Sequence, residues 1–189
     1  MIFDPEFHRY YLDDGTEIPG VTDILTRAGI IDDRWFDAES RERGSAVHEL
    51  CERYAHGERF DKKGRALADL EYVNAFAAWM RDSGAYAIKT EGLVCGNING
   101  RWYGGKFDGI YEMYGKIVLL DLKTGAKAKW HRAQLAAYSM ANDANTGKKI
   151  NPRLLIDLYL KKDGTYKPNI LNASELIEGV RTFRDAIMF

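Results

Sequence analysis

Two dipeptides, Asn99-Gly100 and Tyr114-Gly115, restrict what this chain can fold into more than any other feature. They separate three runs of strand-forming residues, 87–98 (AIKTEGLVCGNI), 101–113 (RWYGGKFDGIYEM) and 116–122 (KIVLLDL). A two-residue connection ending in Gly closes a tight hairpin, because positive φ there matches the twist of the flanking strands. The three runs are therefore expected as antiparallel neighbours. Two more strands are expected near 153–160 and 165–171, around Asp163-Gly164. Helices are predicted over 131–143, with Leu135, Tyr138 and Met140 among alanines, and over 173–187 behind an Asn172 or Ser174 cap. Upstream, residues 7–18 read as a hairpin about Asp14-Gly15, and Pro19 stops it. Thr22 is placed to cap a short helix over Ile24, Leu25 and Ala28 that Gly29 ends. Helical spacing of apolar residues continues from Trp35 to about Tyr54 (Val47, Leu50, Cys51) and from roughly 65 to 81 (Leu67, Leu70, Val73, Ala77, Met80). The order predicts an α/β fold: a central mixed five-stranded sheet flanked by helices, plus an N-terminal hairpin and helices.

At 189 residues the chain has the length of one domain, with a helical part over 1–85 and a sheet core over 86–189. A composition of 46% hydrophobic and 29% charged residues excludes a disordered chain. Apolar runs such as Ile117–Leu120 are too short to span a membrane, and MIFDPEFHRYY does not have the pattern of a signal peptide. Cys51 and Cys95 provide neither a disulfide framework nor a four-cysteine metal or iron–sulfur site, so a reducing cytoplasm is expected. Lys plus Arg is 27 and Asp plus Glu is 28, which argues against tight non-specific coating of nucleic acid. A carboxylate-rich site beside a local basic patch remains compatible with that balance.

Such a juxtaposition is present. Pairing about the Tyr114-Gly115 turn sets Asp108 across from Asp121, and Asp121 and Lys123 share a strand face. Taken alone, Asp121 and Lys123 read as an ordinary strand-end ion pair; Asp108 in register brings a divalent-cation site into contention. Gln134 and Tyr138 share a helix face just after Lys127, Lys129, His131 and Arg132, a patch suited to phosphates or simply to solvent. Cys51, Cys95 and Trp79, Trp102 and Trp130 read as packing residues, Trp130 being also near enough to the patch to meet a base. His8 and His56 have no partner at ligand spacing.

The ordered series His48, Gly105-Lys106-Phe107-Asp108, Asp121-Leu122-Lys123 and Gln134-Leu135-Ala136-Ala137-Tyr138 resembles the PD-(D/E)XK nuclease superfamily, and within it the RecB-type domains and small phage-type exonucleases. The N-terminal lead-in through Val21-Thr22-Asp23-Ile24-Leu25 is similar to the phage-type members, so the resemblance covers nearly the whole chain. It implies a restriction-endonuclease-like core and a Mg²⁺- or Mn²⁺-dependent deoxyribonuclease holding one or two ions, with no iron–sulfur cluster. Asp108 and Asp121 match the metal carboxylates, Leu122 the backbone-carbonyl ligand, His48 the helical histidine ligand and Lys123 the catalytic lysine. Glu91 sits where many members carry a further acid. Gln134 and Tyr138 match residues beside the DNA, and Lys127, Lys129, Arg132 and Arg43 are expected at phosphates. An exonuclease of recombination or repair is implied, with an endonuclease, a flap-cutting enzyme or a catalytically silent DNA-binding module as alternatives. With no helicase motor attached, processive action would need a homo-oligomeric ring or a recombination or single-strand-binding partner.

Overall fold

The computed structural model describes residues 1–32, 38–58 and 67–189, so Trp35, expected in the first long helix, lies outside the described residues. In chain order the elements are β1 (Ile2–Asp4), β2 (Arg9–Tyr11), β3 (Glu17–Ile18), α1 (Val21–Arg27), α2 (Ala38–Ala55) and α3 (Leu67–Ser83). Then come β4 (Tyr86–Ile98), β5 (Arg101–Met113), β6 (Lys116–Lys123), α4 (Trp130–Met140), β7 (Asn142–Asp143), β8 (Leu154–Leu160), β9 (Tyr166–Ile170) and α5 (Ala173–Ala186). The main sheet has the order β7-β4-β5-β6-β8-β9, mixed because β6 and β8 run parallel. The meander β4-β5-β6 is the one the turns demand, with φ of +52° and +84° at Asn99 and Gly100 and of +52° and +71° at Tyr114 and Gly115.

The mixed sheet flanked by helices is as expected, with four differences in detail. The sheet has six strands rather than five. The helix expected over 131–143 stops at Met140, because Ala141 turns extended (ψ 168°) and Asn142–Asp143 pairs with Val94 and Cys95 on the outer edge of β4. The Asp143 carboxylate holds the following turn by accepting from the N–H groups of Asn145 and Thr146. The N-terminal hairpin is a three-stranded sheet, since Ile2–Asp4 adds a strand against β2. Thr22 lies inside α1 rather than capping it; the cap position is Gly20, whose N–H donates to Asp23 Oδ2 at 3.1 Å. Asn172 caps α5 with a reciprocal Glu175 contact, one of the two expected caps.

Strand alternation gives the main sheet two buried faces. Leu119 faces α1, α4 and α5, where it joins Leu25, Tyr103, Phe107, Leu135 and Phe183. Val118, Leu120 and Leu122 face α2 and α3, where they join Leu50, Cys51, Phe76, Trp79 and Leu158. Each large side chain so buried contributes about 1.5–3 kcal/mol relative to exposure. Cys51 and Trp79 pack as expected, whereas Trp102 is 45% exposed and Cys95 only half-buried.

The N-terminal sheet docks on β5 through main chain. Gly104 N–H donates to the Pro19 carbonyl at 3.0 Å, and a Cβ on Gly104 would lie 2.6 Å from Tyr10 Cγ. Gly104→Ala should therefore cost about 1–3 kcal/mol through overpacking, read as a lower urea midpoint. Gly125→Ala, whose Cβ would meet nothing within 4 Å, should leave that midpoint in place; equal midpoints for both variants would refute the docking argument.

Candidate metal centre

The β5–β6 ladder runs from Met113 and Lys116 to Gly109 and Leu120 and stops there, one step short of the Asp108–Asp121 pair. Beyond that step the Asp108 side chain replaces the main-chain partner, with Leu122 N–H donating to Asp108 Oδ2 at 2.5 Å. On the other side, the pairs Thr90–Gly109 and Gly92–Phe107 set Glu91 opposite Asp108. Glu91 adopts φ +51°, a left-handed conformation that costs a non-glycine residue about 1–3 kcal/mol. Asp121 is in parallel register with Asp157 on β8. Four adjacent strands thus carry one row of carboxylates: Glu91, Asp108, Asp121 and Asp157.

One histidine and two lysines intersperse the row. His48, on α2, contacts Asp108 Oδ1 through Nδ1 at 2.9 Å. Lys106 pairs with Glu91, and Lys123 with Asp121. Lys123 Nζ also donates to Gln134 Oε1 at 2.7 Å and lies 5.3 Å from the Trp130 ring centroid. Burial disfavours the His48 imidazolium, but the charge and hydrogen bond of Asp108 prevail and raise its pKa. For Asp108 the same contacts outweigh burial and lower its pKa. Burial and the neighbouring Asp108 keep the Asp121 carboxyl above its ordinary value despite Lys123. Burial likewise raises Glu91 against the pull of Lys106, and burial with Asp121 pushes Asp157 up to about 7.

The row opens into a cleft of about 490 Å³ whose lining includes His48, Glu91, Asp108, Asp121, Lys123 and Gln134. One ligand atom from each of His48, Glu91 and Asp108 lies within 4.8 Å of the others, the spacing needed around a single cation. Two carboxylates and an imidazole suit a divalent ion such as Mg²⁺ or Mn²⁺. Buried Asp121 Oδ2 has Lys123 as its ionic neighbour but no hydrogen bond of regular geometry, so the donor set has room for a further interaction.

Gln134 and Tyr138, expected beside DNA, are buried, and the Gln134 amide donates to the Tyr138 hydroxyl at 3.0 Å. Their polar groups are thus turned to each other and to Lys123. Lys127, Lys129 and Arg132 line a separate hollow of about 290 Å³ that has Asp157 among its lining residues. Lys127 is tied to Asn169, Arg132 to Glu178, and Arg43 to Ser40 and Glu39. Leu122 brings its backbone to the centre through the bond to Asp108. Two residues were not foreseen. Asp157 was readable as a lone acid in the apolar run 153–160, and Lys106 as the cation within the Gly105–Asp108 string. His56 is outside the His48–Glu91–Asp108 group and hydrogen-bonds Thr90 Oγ1 at 2.7 Å.

No protein-family model and no curated protein matches the chain. Among solved structures, it is similar to a Eubacterium rectale protein provisionally described as an exonuclease, with 16% identity and a TM-score of 0.52 over 88% of this chain and 71% of that one. It also aligns with an alkaline exonuclease from Laribacter hongkongensis, with 15% identity and a TM-score of 0.42 over 90% and 86% of the two chains. The likeness to the first is one of fold.

One buried histidine beside the centre yields a pH prediction. His131 is 5% exposed and its Nδ1 meets the Tyr159 hydroxyl at 2.7 Å. Burial, with Lys123 next in weight, lowers its pKa to about 3. The unfolded chain therefore binds a proton at this position between about pH 6.5 and 3 that the folded chain does not. Its contribution makes stability rise with pH across that window, by up to about 1.4 kcal/mol per unit, and adds no slope above it. His131→Gln should lose this slope, so the difference in unfolding free energy between variant and wild type should change between pH 4.5 and 7. A constant difference would contradict a neutral buried His131.

Proposed function

We propose that this chain is a metal-dependent nuclease of the RecB-type PD-(D/E)XK kind, hydrolysing phosphodiester bonds in DNA and acting from ends. The observation that carries the reading is the row of Glu91, Asp108 and Asp121 on adjacent strands, met in one cleft by His48 and Lys123. The fold shared with the Eubacterium rectale protein, described as an exonuclease, supports it.

His48, Glu91 and Asp108 would hold Mg²⁺ or Mn²⁺, with Asp121 and the Leu122 carbonyl as the further ligands that the resemblance implies. Such an ion supplies charge neutralisation for an incoming phosphate and acidification of the attacking water. Lys123 has three N–H donors, of which one faces Asp121 and one is taken by Gln134. The third serves to orient the water or a phosphate oxygen. Gln134 fixes where that donor points, and Tyr138 fixes Gln134, so both act through Lys123. Asp108 aligns His48 through their hydrogen bond. Lys127, Lys129, Arg132 and Arg43 serve as phosphate contacts away from the reacting bond. Processive digestion would call for a homo-oligomeric ring or a protein partner; without either, action is distributive.

Lys123→Met should lower cleavage of end-labelled linear DNA in Mg²⁺ or Mn²⁺ by at least about a hundredfold, the typical loss on removing one charge-stabilising donor. Its Mn²⁺ affinity should stay within a few-fold of wild type. Closed circular DNA should resist the wild-type protein. Wild-type turnover by Lys123→Met would remove Lys123 from the chemistry, and rapid nicking of the circle would replace the exonuclease by an endonuclease.

A further inference from the structure

The cleft has a second wall, of different chemistry from the first. Besides the acidic row, its lining includes Phe3, His8 and Tyr10 of the β1–β2 hairpin. The three rings form a compact group: Phe3 meets the His8 ring edge-on with centroids 5.2 Å apart, and Tyr10 lies 5.0 Å from Phe3 and 5.7 Å from His8. Tyr10 is buried against Gly104 of β5, whereas His8 is exposed and Phe3 half-buried, so the latter two present ring surface to the cleft. The hairpin tip is held in shape. Asp4 Oδ1 accepts from the N–H groups of Glu6 and Phe7 at 3.0 and 3.3 Å, and His8 takes a left-handed φ of +52°.

Cations alternate with these rings. Lys106 Nζ, already paired with Glu91, lies 5.7 Å from the Phe3 ring centroid and so bridges the aromatic wall and the acidic row. On the same hairpin, outside the cleft's lining, Phe7 is 63% exposed and carries the guanidinium of Arg9, which also pairs with Glu17, 5.7 Å from its ring centroid. Rings interleaved with cations along one path are what an unpaired nucleic-acid strand needs: the rings stack on bases whatever their identity, and the cations follow the backbone. A cavity of about 490 Å³ lies within the range of small-ligand sites and suits a nucleotide-sized group.

We propose that the β1–β2 hairpin is the base-binding lip of this cleft: in an unpaired strand whose phosphate lies at the acidic row, the adjacent nucleobase stacks on His8 and Phe3, and the strand leaves past Phe7 and Arg9. The proposal rests on the nuclease reading and assigns to it the part of the chain that receives the base. It makes His8 and Phe7 substrate-binding residues with no part in holding the cation.

Binding of fluorescein-labelled single-stranded oligodeoxynucleotides and oligoribonucleotides, followed by anisotropy with Ca²⁺ replacing Mg²⁺, tests it. His8→Ala should weaken binding about 5- to 150-fold, the range for one lost base–ring stack, and Phe7→Ala should weaken it in the same direction. An abasic residue scanned through the oligonucleotide should reproduce the His8→Ala loss in wild type at one position, and combining the two should add little. Whichever of the two sugars binds, the stacking loss should be the same, because the rings contact bases. Mn²⁺ affinity, measured by calorimetry, should be unchanged in both variants. Wild-type binding by both variants, or an abasic loss that adds fully to that of His8→Ala, overturns the lip while leaving the nuclease reading in place. Failure of the wild-type protein to bind or cut any oligonucleotide overturns both.

Discussion

Like charges facing each other across neighbouring strands repel, and this sheet sets four of them in a row. Glu91, Asp108, Asp121 and Asp157 occupy successive strands of β4, β5, β6 and β8. Such an arrangement persists only where counter-charge, hydrogen bonds or protonation offset it. Counter-charge and hydrogen bonds are both in use, and burial shifts the remaining carboxyl toward its protonated form. His48 and Leu122 N–H hold Asp108, Lys106 holds Glu91, Lys123 holds Asp121, and Asp157, with a buried oxygen lacking a hydrogen bond, has its pKa raised to about 7. Much of the surrounding architecture follows from this requirement. Helix α2 packs with Leu50 and Cys51 in the core and thereby delivers His48 to the row. Helix α4 packs with Leu135 and Ala137 in the core on the opposite face and delivers Gln134 to Lys123.

The same row explains why the sheet opens where it does. Continued pairing of β5 and β6 past Gly109 and Leu120 would satisfy Leu122 N–H through main chain. Instead Asp108 takes that donor, the ladder ends, and the cleft begins. Glu91 reaches the same place only through a backbone conformation that L-residues disfavour. Strain and a broken ladder at one point are costs that the two hydrophobic faces of the sheet must cover.

Much of this was legible in the chain. Two turn dipeptides fixed the meander, and symmetry about Tyr114-Gly115 set Asp108 across from Asp121; the ladder ends one step short of them, at Gly109 and Leu120, in that register. His48 and Glu91, which only the resemblance had singled out, lie with ligand atoms within 4.8 Å of one of Asp108. What the sequence left open were contacts without periodicity. A two-residue strand such as Asn142–Asp143 is too short for an alternating pattern, and its place comes from an Asp143 turn and the Lys89 ion pair. Gln134 and Tyr138 share a helix face, but spacing does not say whether that face meets a lysine or a strand of DNA; their burial and hydrogen bonds turn them to Lys123. The parallel register of β6 and β8, which brings Asp157 beside Asp121, spans a connection of some thirty residues that includes α4 and offered no local signal.

That the acidic row is assembled to hold a divalent cation is the claim on which the rest depends. The most direct measurement is a calorimetric titration of Mn²⁺ into the nucleic-acid-free protein, repeated with Asp108→Asn after circular dichroism has verified its fold. Saturable binding by wild type, with a rise in melting temperature, and loss of that binding in folded Asp108→Asn are the predicted results. Folded wild type that takes up no Mn²⁺ at millimolar concentration, or Asp108→Asn that binds it as wild type does, would contradict the account.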